Sequence, residues 1–381
     1  MKVVNLSLDP HLLDPESVAA VRARAYGKIT DRYITVVPTP GKLHTVLSDT
    51  VSVYGSEGVN KIVRLVHIYS LLKSILEKEK MDVITVQDPY FLGVLAVYMA
   101  KRYHTGLEVH ILGLEKLSWL RLQLAKFTFK RVGAVRVNSK HLYERMNDEF
   151  GVPFEKITYA PIYVDVDKIG LGVRTFNPEE RRLYDEKTKE FEEQFGSFLN
   201  FITVSRLVPV KRISLQLQAM EELIKTHNMI RLHIVGDGPE KETLRQEIKD
   251  RGLGEYVIMH GAKYGPELGV YYISADCFLL TSESEGWGMV ITEAATAGLP
   301  IIMTNVGCAG EFIRDGESGI ILPVTDTLRP LVSAMDRIIR EPELRNTLVE
   351  GAFKGLQALP DLQTILELYK KSWEKAAVSA L

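Results

Sequence analysis

The chain has 381 residues and a formal net charge of −2, with 46% hydrophobic and 25% charged residues. This composition is typical of a globular protein of two domains, and it excludes a molecule whose whole surface is built to bind nucleic acid. The first 170 residues carry 23 Lys and Arg against 18 Asp and Glu, a net +5, and the remainder carries 24 against 31, a net −7. This asymmetry permits an anionic partner at the N-terminal half.

The two cysteines, Cys277 and Cys308, stand among apolar or small residues without metal-ligand spacing. This pattern predicts two free thiols in a reducing compartment. The start of the chain, MKVVNLSLDPHLLDPESV, lacks the apolar core of a signal peptide. The most apolar helical stretch, FLGVLAVYMAKRY, is too short to span a bilayer. We therefore expect a cytoplasmic protein.

Strand-like and helix-like segments alternate through the first half. The predicted strands are KVVNLSL, RYITVVP, DVITVQD, GLEVHIL and AVRVNS, and the predicted helices are ESVAAVRARAYG, NKIVRLVHIYSLLKSILEKEK and FLGVLAVYMAKRY. After about Lys168 the charged stretch NPEERRLYDEKTKEFEEQFGS indicates a solvated helix or a linker. We therefore place an N-terminal domain at residues 1–168.

A second alternation begins at LNFITVSRL and continues through IRLHIVGDG, YVIMHGA, CFLLTS and LPIIMTN, with helical segments between these strands. Strands and helices that alternate at these lengths predict parallel sheets covered on both faces. The sequence therefore predicts an α/β protein of two doubly wound domains, the second at residues 169–359. In such sheets ligands bind at the carboxyl ends of the strands.

Two cations follow the first strand of the second domain, in SRLVPVKR. Arg206 and Lys211 lie in a strand-to-helix loop, where cations and exposed helix N–H groups suit a diphosphate. They could equally be ordinary surface charges, and so could the neighbouring Arg212.

The next strand ends in GDGPEK, which contains Gly236 and Gly238. The segment matches neither a dinucleotide-binding fingerprint nor a phosphate-binding P-loop. Two interpretations stay open: contact with a ligand, or a tight turn with Asp237 as the helix cap.

The segment SESEGWGMVITEAATAG carries Glu285 and Glu293 with seven residues between them. Both could be solvated surface glutamates, the first complementing a helix dipole. Alternatively, they could reach opposite ends of an extended ligand, since eight helical rises span about 12 Å. A nucleotide diphospho-sugar has this shape.

Two glycines flank a tryptophan at the start of the predicted helix. Gly286 and Gly288 would let a ligand approach the backbone N–H groups of Trp287, Gly288 and Met289. The side chain of Trp287 could stack on that ligand, although core packing explains it more simply.

Taken in order, SRLVPVKR, HIVGDGPEKETL, TSESEGWGMVITEAATAGLPIIMTN and GEFIRDGESGIILP resemble the C-terminal half of glycosyltransferase family 4. The resemblance extends more weakly over DVITVQDPY, LEVHILG and VRVNSKHLYERM. It implies a GT-B fold, in which two Rossmann-like domains face each other across a cleft. It also implies that the C-terminal helix, residues 360–381, packs back on the N-terminal domain.

The resemblance implies a role for each matching residue. Glu285 would approach the donor sugar and Glu293 would bind the ribose hydroxyls, while Arg206 and Lys211 would hold the diphosphate. Main-chain groups of the glycine-flanked turn and of the GDG segment would contact the donor. His110, which from the residues alone is a core or capping histidine, would lie near the transferred sugar.

The implied activity is retaining transfer of a sugar from a nucleotide sugar to a hydroxyl of a glycan or lipid-linked glycan. No cofactor is implied and no metal, in keeping with nine histidines that form no H-x3-H cluster. The segment SLDPHLLDPESV after the first strand lacks the glycines that many family members carry there, so the acceptor stays open.

Three alternatives stay open. The chain could be another GT-B enzyme, such as an epimerase or phosphorylase, or a non-catalytic sugar-nucleotide-binding subunit. The basic and apolar stretch KLSWLRLQLAKFTFKRVG could also make a peripheral membrane contact. On a helical wheel, however, Lys116, Arg121, Lys126 and Arg131 scatter around the helix, which favours a packed helix of the N-terminal domain.

Overall fold

The structure is a computed structural model that describes residues 1–114, 117–164 and 178–379. It divides into two compact units, one formed by Met1–Ile162 together with Pro360–Leu381, and the other by Tyr163–Leu359. The domain boundary expected between residues 168 and 169 lies outside the described residues.

The strands are named in chain order. They are β1 (Lys2–Leu6), β2 (Arg32–Pro38), β3 (Leu43–Ser48), β4 (Val51–Ser56), β5 (Val83–Val86), β6 (Gly106–Ile111), β7 (Ala134–Val137), β8 (Ile157–Tyr159), β9 (Leu199–Val204), β10 (Ile230–Val235), β11 (Val257–Gly261), β12 (Cys277–Leu280), β13 (Ile301–Thr304) and β14 (Ile320–Leu322).

The α-helices follow the same order. They are α1 (Val18–Gly27), α2 (Lys61–Lys78), α3 (Phe91–Tyr103), α4 (Trp119–Phe129), α5 (Lys140–Asp148), α6 (Pro178–Phe195), α7 (Ile213–Leu223), α8 (Lys241–Asp250), α9 (Gly265–Ile273), α10 (Met289–Thr296), α11 (Arg329–Arg340), α12 (Pro342–Gln357) and α13 (Leu362–Val378). In the described part of the chain, no helix combines the length and apolar character needed to cross a bilayer.

The sheet of the first unit has the strand order β3-β4-β2-β1-β5-β6-β7-β8. This sheet is parallel, as predicted, except at one edge, where β3 pairs with β4 in the antiparallel sense. Only Asp49 and Thr50 separate the two strands, and a connection this short permits a hairpin but no crossover. The strand order changes direction between β1 and β5.

The two faces of this sheet differ in chemistry. Alternate residues of β6, Leu107, Val109 and Ile111, join an apolar core that also contains residues of α2, α3, α4 and α5. The opposite face packs against α13. The helix lies so close to the start of β6 that a Cβ on Gly106 would stand 2.4 Å from the carbonyl oxygen of Ala376.

The sheet of the second unit has the order β11-β10-β9-β12-β13-β14, and each of its strand pairs is parallel. The chain winds outward from β9 to β11 on one side and from β12 to β14 on the other. The strand order therefore reverses between β9 and β12, and the ends of these two strands form the crevice in which open α/β sheets bind ligands.

Candidate functional site

The loops after β9 and β12 carry the cations and the first glutamate of the candidate site. The ammonium of Lys211, after β9, lies 2.5 Å from Oε1 of Glu285, after β12. The hydroxyl of Ser282 donates to the same oxygen at 2.7 Å. The side chains of Lys211 and Glu285 are only 15% and 12% exposed. The interpretation of these two residues as solvated surface charges is therefore wrong.

The two arginines near Lys211 have different surroundings. Arg206 is exposed on the loop after β9. Arg212 adopts a left-handed backbone conformation with φ of 53°, and its guanidinium binds the carbonyl of Thr325 and, at 2.8 Å, the carboxylate of Asp326. With its side chain only 9% exposed, Arg212 ties this loop to the segment after β14 and is no simple surface charge.

Glu293 lies in the second turn of α10. The hydroxyl of Tyr272, from α9, donates to its Oε2 at 2.7 Å. Burial raises the pKa of the Glu293 carboxyl, and the hydrogen bond from Tyr272 opposes this rise only in part. The surroundings therefore disfavour the charged form of this carboxyl.

The turn between the glutamates is not helical. Because α10 begins only at Met289, the estimate of eight helical rises between Glu285 and Glu293 is wrong for the first part of the segment. Gly288 precedes the helix with φ of 86°, and a glycine has no side chain with which to cap the first N–H groups. The turn therefore leaves main-chain donors for a ligand. Gly286 lies in the same turn.

The indole of Trp287 is only 2% exposed. This burial agrees with core packing and disagrees with stacking on a ligand, so only the main chain of Trp287 remains for donor contact. Its carbonyl accepts from the N–H of Cys308 at 3.0 Å. A Cβ on Gly307 would stand 2.4 Å from that carbonyl and 3.0 Å from Cβ of Glu285. Gly307, which the sequence did not single out, therefore lets the loop after β13 pack against the turn.

The glycines after β10 permit close contact between two loops. A Cβ on Gly236 would stand 1.8 Å from the carbonyl oxygen of Ser205, and one on Gly238 would stand 2.4 Å from that of Leu207. Both glycines are thus explained by packing against the loop after β9. The open interpretation in which Asp237 caps α8 does not hold, because the N-cap is Glu240 and the carboxylate of Asp237 accepts from the N–H of Gly238 and pairs with Lys241.

His110, in the first unit, is 6% exposed and packs against Tyr369 of α13 with ring centroids 5.9 Å apart and planes inclined at 63°. Burial, followed by the positive charges of Arg136 and Arg22, places the pKa of His110 well below its ordinary value. The imidazole is therefore neutral at neutral pH.

The loop after β1 forms a short 3₁₀-helix, Pro10–Leu13, in the segment that lacks glycine. The carboxylate of Asp9 accepts from the N–H of His11 at 3.0 Å, and Ser7 donates to the side chain of Gln87 at 3.1 Å. This loop and the one after β5 therefore meet at the point where the strand order of the first unit changes direction.

Within residues 1–114, 117–164 and 178–379, no three His, Cys, Asp or Glu side chains gather as a metal site. Both cysteines are free, as predicted. Both are also buried, which raises the pKa of each thiol.

Two family models match the chain. The model described as Glycosyl transferases group 1 matches residues 185–355, and the model described as Glycosyltransferase Family 4 matches residues 33–168. Together the two matches span most of the chain, and each falls largely within one structural unit.

Two of the similar proteins have names that contain a lipid. The α-monoglucosyldiacylglycerol synthase of Acholeplasma laidlawii is 26% identical over 73% of this chain and 71% of its own length. A GDP-mannose-dependent α-(1-6)-phosphatidylinositol monomannoside mannosyltransferase of Mycolicibacterium smegmatis is 27% identical over 60% of this chain and 59% of its own length. The alignments thus leave a sizeable part of each relative unmatched.

Solved structures share the fold. Anabaena HepE in complex with UDP-glucose has a TM-score of 0.73 at 16% identity, covering 98% of this chain and 99% of that chain. Sucrose-phosphate synthase from Thermosynechococcus elongatus has a TM-score of 0.78 at 16% identity, covering 98% of both chains. The two parallel-sheet units described above therefore form a GT-B fold.

Proposed function

The chain belongs to glycosyltransferase family 4, and from that premise we propose that it moves a sugar from a nucleotide diphospho-sugar to a hydroxyl of a glycan or lipid-linked glycan. The transfer retains the configuration of the sugar and uses no metal ion. One observation carries the proposal: the pair of Lys211 and Glu285 lies where the strand order of the second unit reverses, beside the uncapped start of α10.

We assign the groups of this edge by their chemistry. Lys211 and Arg206 are cations suited to a diphosphate, and the N–H groups at the start of α10 add positive potential. Glu293, held by Tyr272, would accept hydrogen bonds from ribose hydroxyls. Glu285 would bind the donor sugar. Lys211 also pairs with Glu285. A bound diphosphate would compete with this carboxylate for the ammonium.

The proposed mechanism needs no protein nucleophile. As the bond between the sugar and the diphosphate breaks, negative charge grows on the leaving phosphate, where Lys211, Arg206 and the start of α10 stabilise it. The acceptor hydroxyl attacks the sugar carbon on the same face from which the diphosphate leaves. A phosphate oxygen of the donor takes the proton of that hydroxyl. Configuration at the sugar carbon is thereby retained. From the family resemblance alone we also assign His110, a neutral imidazole that is 6% exposed, to the transferred sugar.

We further propose that the acceptor lies at an anionic membrane, which the first unit meets through α4. The helix α4 packs on the first unit through Ala125, Thr128 and Phe129, as expected, and exposes another face. At 100° per residue, that face gathers within about 100° the side chains of Trp119, Leu120, Gln123 and Phe127, and the exposed Lys130 and Arg131 follow directly after the helix.

The positive charge near α4 favours binding to anionic lipid. Between Glu115 and Glu144 the chain carries seven Lys and Arg and no acidic residue. One of the seven, Arg136, is buried in its pair with Glu108 and does not add to the surface charge. Trp119 is 74% exposed and Leu120 52%. Aromatic and aliphatic side chains beside cations are the combination with which interfacial helices bind anionic membranes. The two relatives named for diacylglycerol and phosphatidylinositol substrates support a lipid acceptor.

A panel of nucleotide sugars tests the donor proposal. We expect one nucleotide sugar, and the matching nucleoside diphosphate, to raise the melting temperature, because a ligand that binds the native state stabilises it by mass action. The same donor should then yield a glycosylated product when candidate acceptors are added. A donor interconverted without acceptor would identify an epimerase, and phosphate-dependent release of sugar phosphate a phosphorylase. Binding without any turnover would identify a non-catalytic subunit.

Sedimentation with lipid vesicles tests the membrane proposal. We expect the protein to bind vesicles containing phosphatidylglycerol more tightly than vesicles of phosphatidylcholine alone. The double variant Trp119→Ala with Leu120→Ala should lose about tenfold or more of this binding, since two large apolar side chains no longer enter the interface. Phe353→Ala, which removes a side chain 56% exposed on the second unit, is the matched control. Equal binding by all three proteins would contradict this assignment.

A further inference from the structure

The face of the first sheet beneath α13 contains a row of polar side chains. Along β6, Glu108 and His110 point to this face while their neighbours enter the apolar core. Strand pairing sets Thr85 of β5 beside Glu108, and Arg136 of β7 beside His110. Glu108, Arg136 and His110 thus lie in the middle of a buried sheet, where each polar group needs a hydrogen-bond partner.

Glu108 receives these partners from three elements. Its carboxylate, fully buried, accepts from Thr85 at 2.5 Å and from two nitrogens of Arg136 at 2.9 and 3.2 Å. From α13, Ser372 donates at 2.5 Å and the indole N–H of Trp373 at 3.0 Å. A buried ion pair with this many hydrogen bonds fixes the rotation and height of α13 over β6.

Tyr369 lies one helical turn before Trp373. The guanidinium of Arg136 is 3.6 Å from the centre of its ring. On another side the same ring meets the imidazole of His110. The contacts of α13 with Glu108 therefore place the ring of Tyr369 against His110, and the guanidinium of Arg136 packs on the same ring.

We propose that Tyr369 is a positioning residue for His110, and that the Glu108–Arg136 pair with α13 serves the sugar-transfer site by holding Tyr369 against the imidazole. This inference rests on the role proposed for His110 at the transferred sugar. It assigns the C-terminal helix a part in the reaction as well as in the stability of the first unit.

Two cationic side chains near His110 favour a neutral ring. Arg136 of β7 and Arg22 of α1 are both positive, and with burial they lower the pKa of the imidazole. The negative charge of Glu108, two residues earlier on β6, is taken up by its own hydrogen bonds, and Tyr369 of α13 presents its aromatic ring to the imidazole. A neutral imidazole can accept or donate one hydrogen bond to a sugar hydroxyl.

The variant Tyr369→Leu tests the inference. It removes the ring that contacts His110, so we expect kcat to fall about tenfold while KM for the donor stays unchanged. The variant Tyr369→Phe keeps the ring and should stay within about twofold of the wild type. Leu72→Ala, a fully buried residue in the core on the opposite face of the sheet, is the control for lost packing. It should lower the melting temperature but leave kcat intact.

Two further measurements separate positioning from stability. In Tyr369→Leu the imidazole gains water, so its pKa should rise towards the ordinary value of about 6.5, and kcat should acquire an acidic limb that the wild type lacks. Carbon NMR of the histidine rings, with His110→Gln for assignment, should show His110 titrating near neutral pH only in Tyr369→Leu.

The outcomes are distinguishable. An unchanged His110 resonance and titration in Tyr369→Leu would overturn the positioning role, and so would a loss of kcat in Leu72→Ala as large as in Tyr369→Leu. If the resonance shifts but neither Tyr369→Leu nor His110→Gln changes transfer, Tyr369 does orient the ring and the role proposed for His110 in transfer is wrong.

Discussion

Lys211→Ala is expected to lower the rate of sugar transfer by about 100-fold or more, while weakening nucleoside diphosphate binding by only about 1–3 kcal/mol. The difference arises because negative charge on the leaving phosphate is greatest in the transition state, where the ammonium therefore contributes most. The variant also leaves Glu285 without its ion-pair partner, with the hydrogen bond from Ser282 in place.

Turnover under donor saturation and calorimetric binding of the nucleoside diphosphate measure the two effects. Arg206→Ala should change both quantities in the same direction. The control is Lys225→Ala, which removes a lysine of the same unit from an exposed pair with Glu222. Exposed pairs contribute about 0–1 kcal/mol, so this variant should behave as the wild type. Wild-type turnover in both Lys211→Ala and Arg206→Ala would show that the diphosphate binds elsewhere.

The same assay tests whether a metal ion shares this task. If Lys211 and the start of α10 neutralise the leaving group, a chelator should leave wild-type turnover unchanged. Added divalent ions should also fail to rescue Lys211→Ala. Strict dependence on a divalent ion, lost with chelator and restored by addition, would contradict the mechanism proposed above.

The sequence located the edge of the sheet at which the candidate site lies, because strand ends can be predicted from local pattern. An apolar run such as CFLL followed by polar residues marks both the end of a strand and the start of a loop. In parallel sheets these loops meet at one edge. Lys211 and Glu285, which are 74 residues apart in the chain, are brought together by this topology.

The partners of these residues could not be predicted, since they depend on side-chain directions across elements. Nothing in the segment LGVYYISA distinguishes Tyr272, which binds Glu293, from Tyr271 beside it. Gly307 likewise carries no local signal, because its lack of a side chain matters only where two loops touch.

The buried pair of Glu108 and Arg136 in the first unit could be predicted in part from the sequence. Glu108 and Arg136 interrupt the apolar strands GLEVHIL and AVRVNS, and a charged residue within such a strand needs a partner. The sequence does not say that they pair with each other, nor that Ser372 and Trp373 of the last helix complete the network, because those contacts span more than 260 positions.

Glu293→Gln is expected to weaken the nucleotide sugar and the free nucleoside diphosphate alike, by about tenfold or more, because hydrogen bonds to a charged acceptor contribute about 1.5–3 kcal/mol. Both ligands contain the ribose that Glu293 is proposed to hold. The same variant should raise the melting temperature of the ligand-free protein at neutral pH. Burial raises the pKa of Glu293 above its unfolded value, so the carboxyl favours folding below that value and progressively less as it ionises. Glutamine never ionises and can still accept from Tyr272.

Glu285→Gln should behave differently, because a free nucleoside diphosphate has no sugar for Glu285 to meet. We expect this variant to bind the nucleoside diphosphate as the wild type does and to lower transfer by about 100-fold, since the interaction lost is one made during transfer. Nucleoside diphosphate affinity, transfer rate and melting temperature, measured for both variants, decide between the roles. Loss of nucleoside diphosphate binding in Glu285→Gln with retention in Glu293→Gln would mean that the two roles are reversed. If neither nucleoside diphosphate affinity nor transfer rate changes in either variant, the half-buried carboxylates serve the packing of α10 and the donor binds at another edge of the fold.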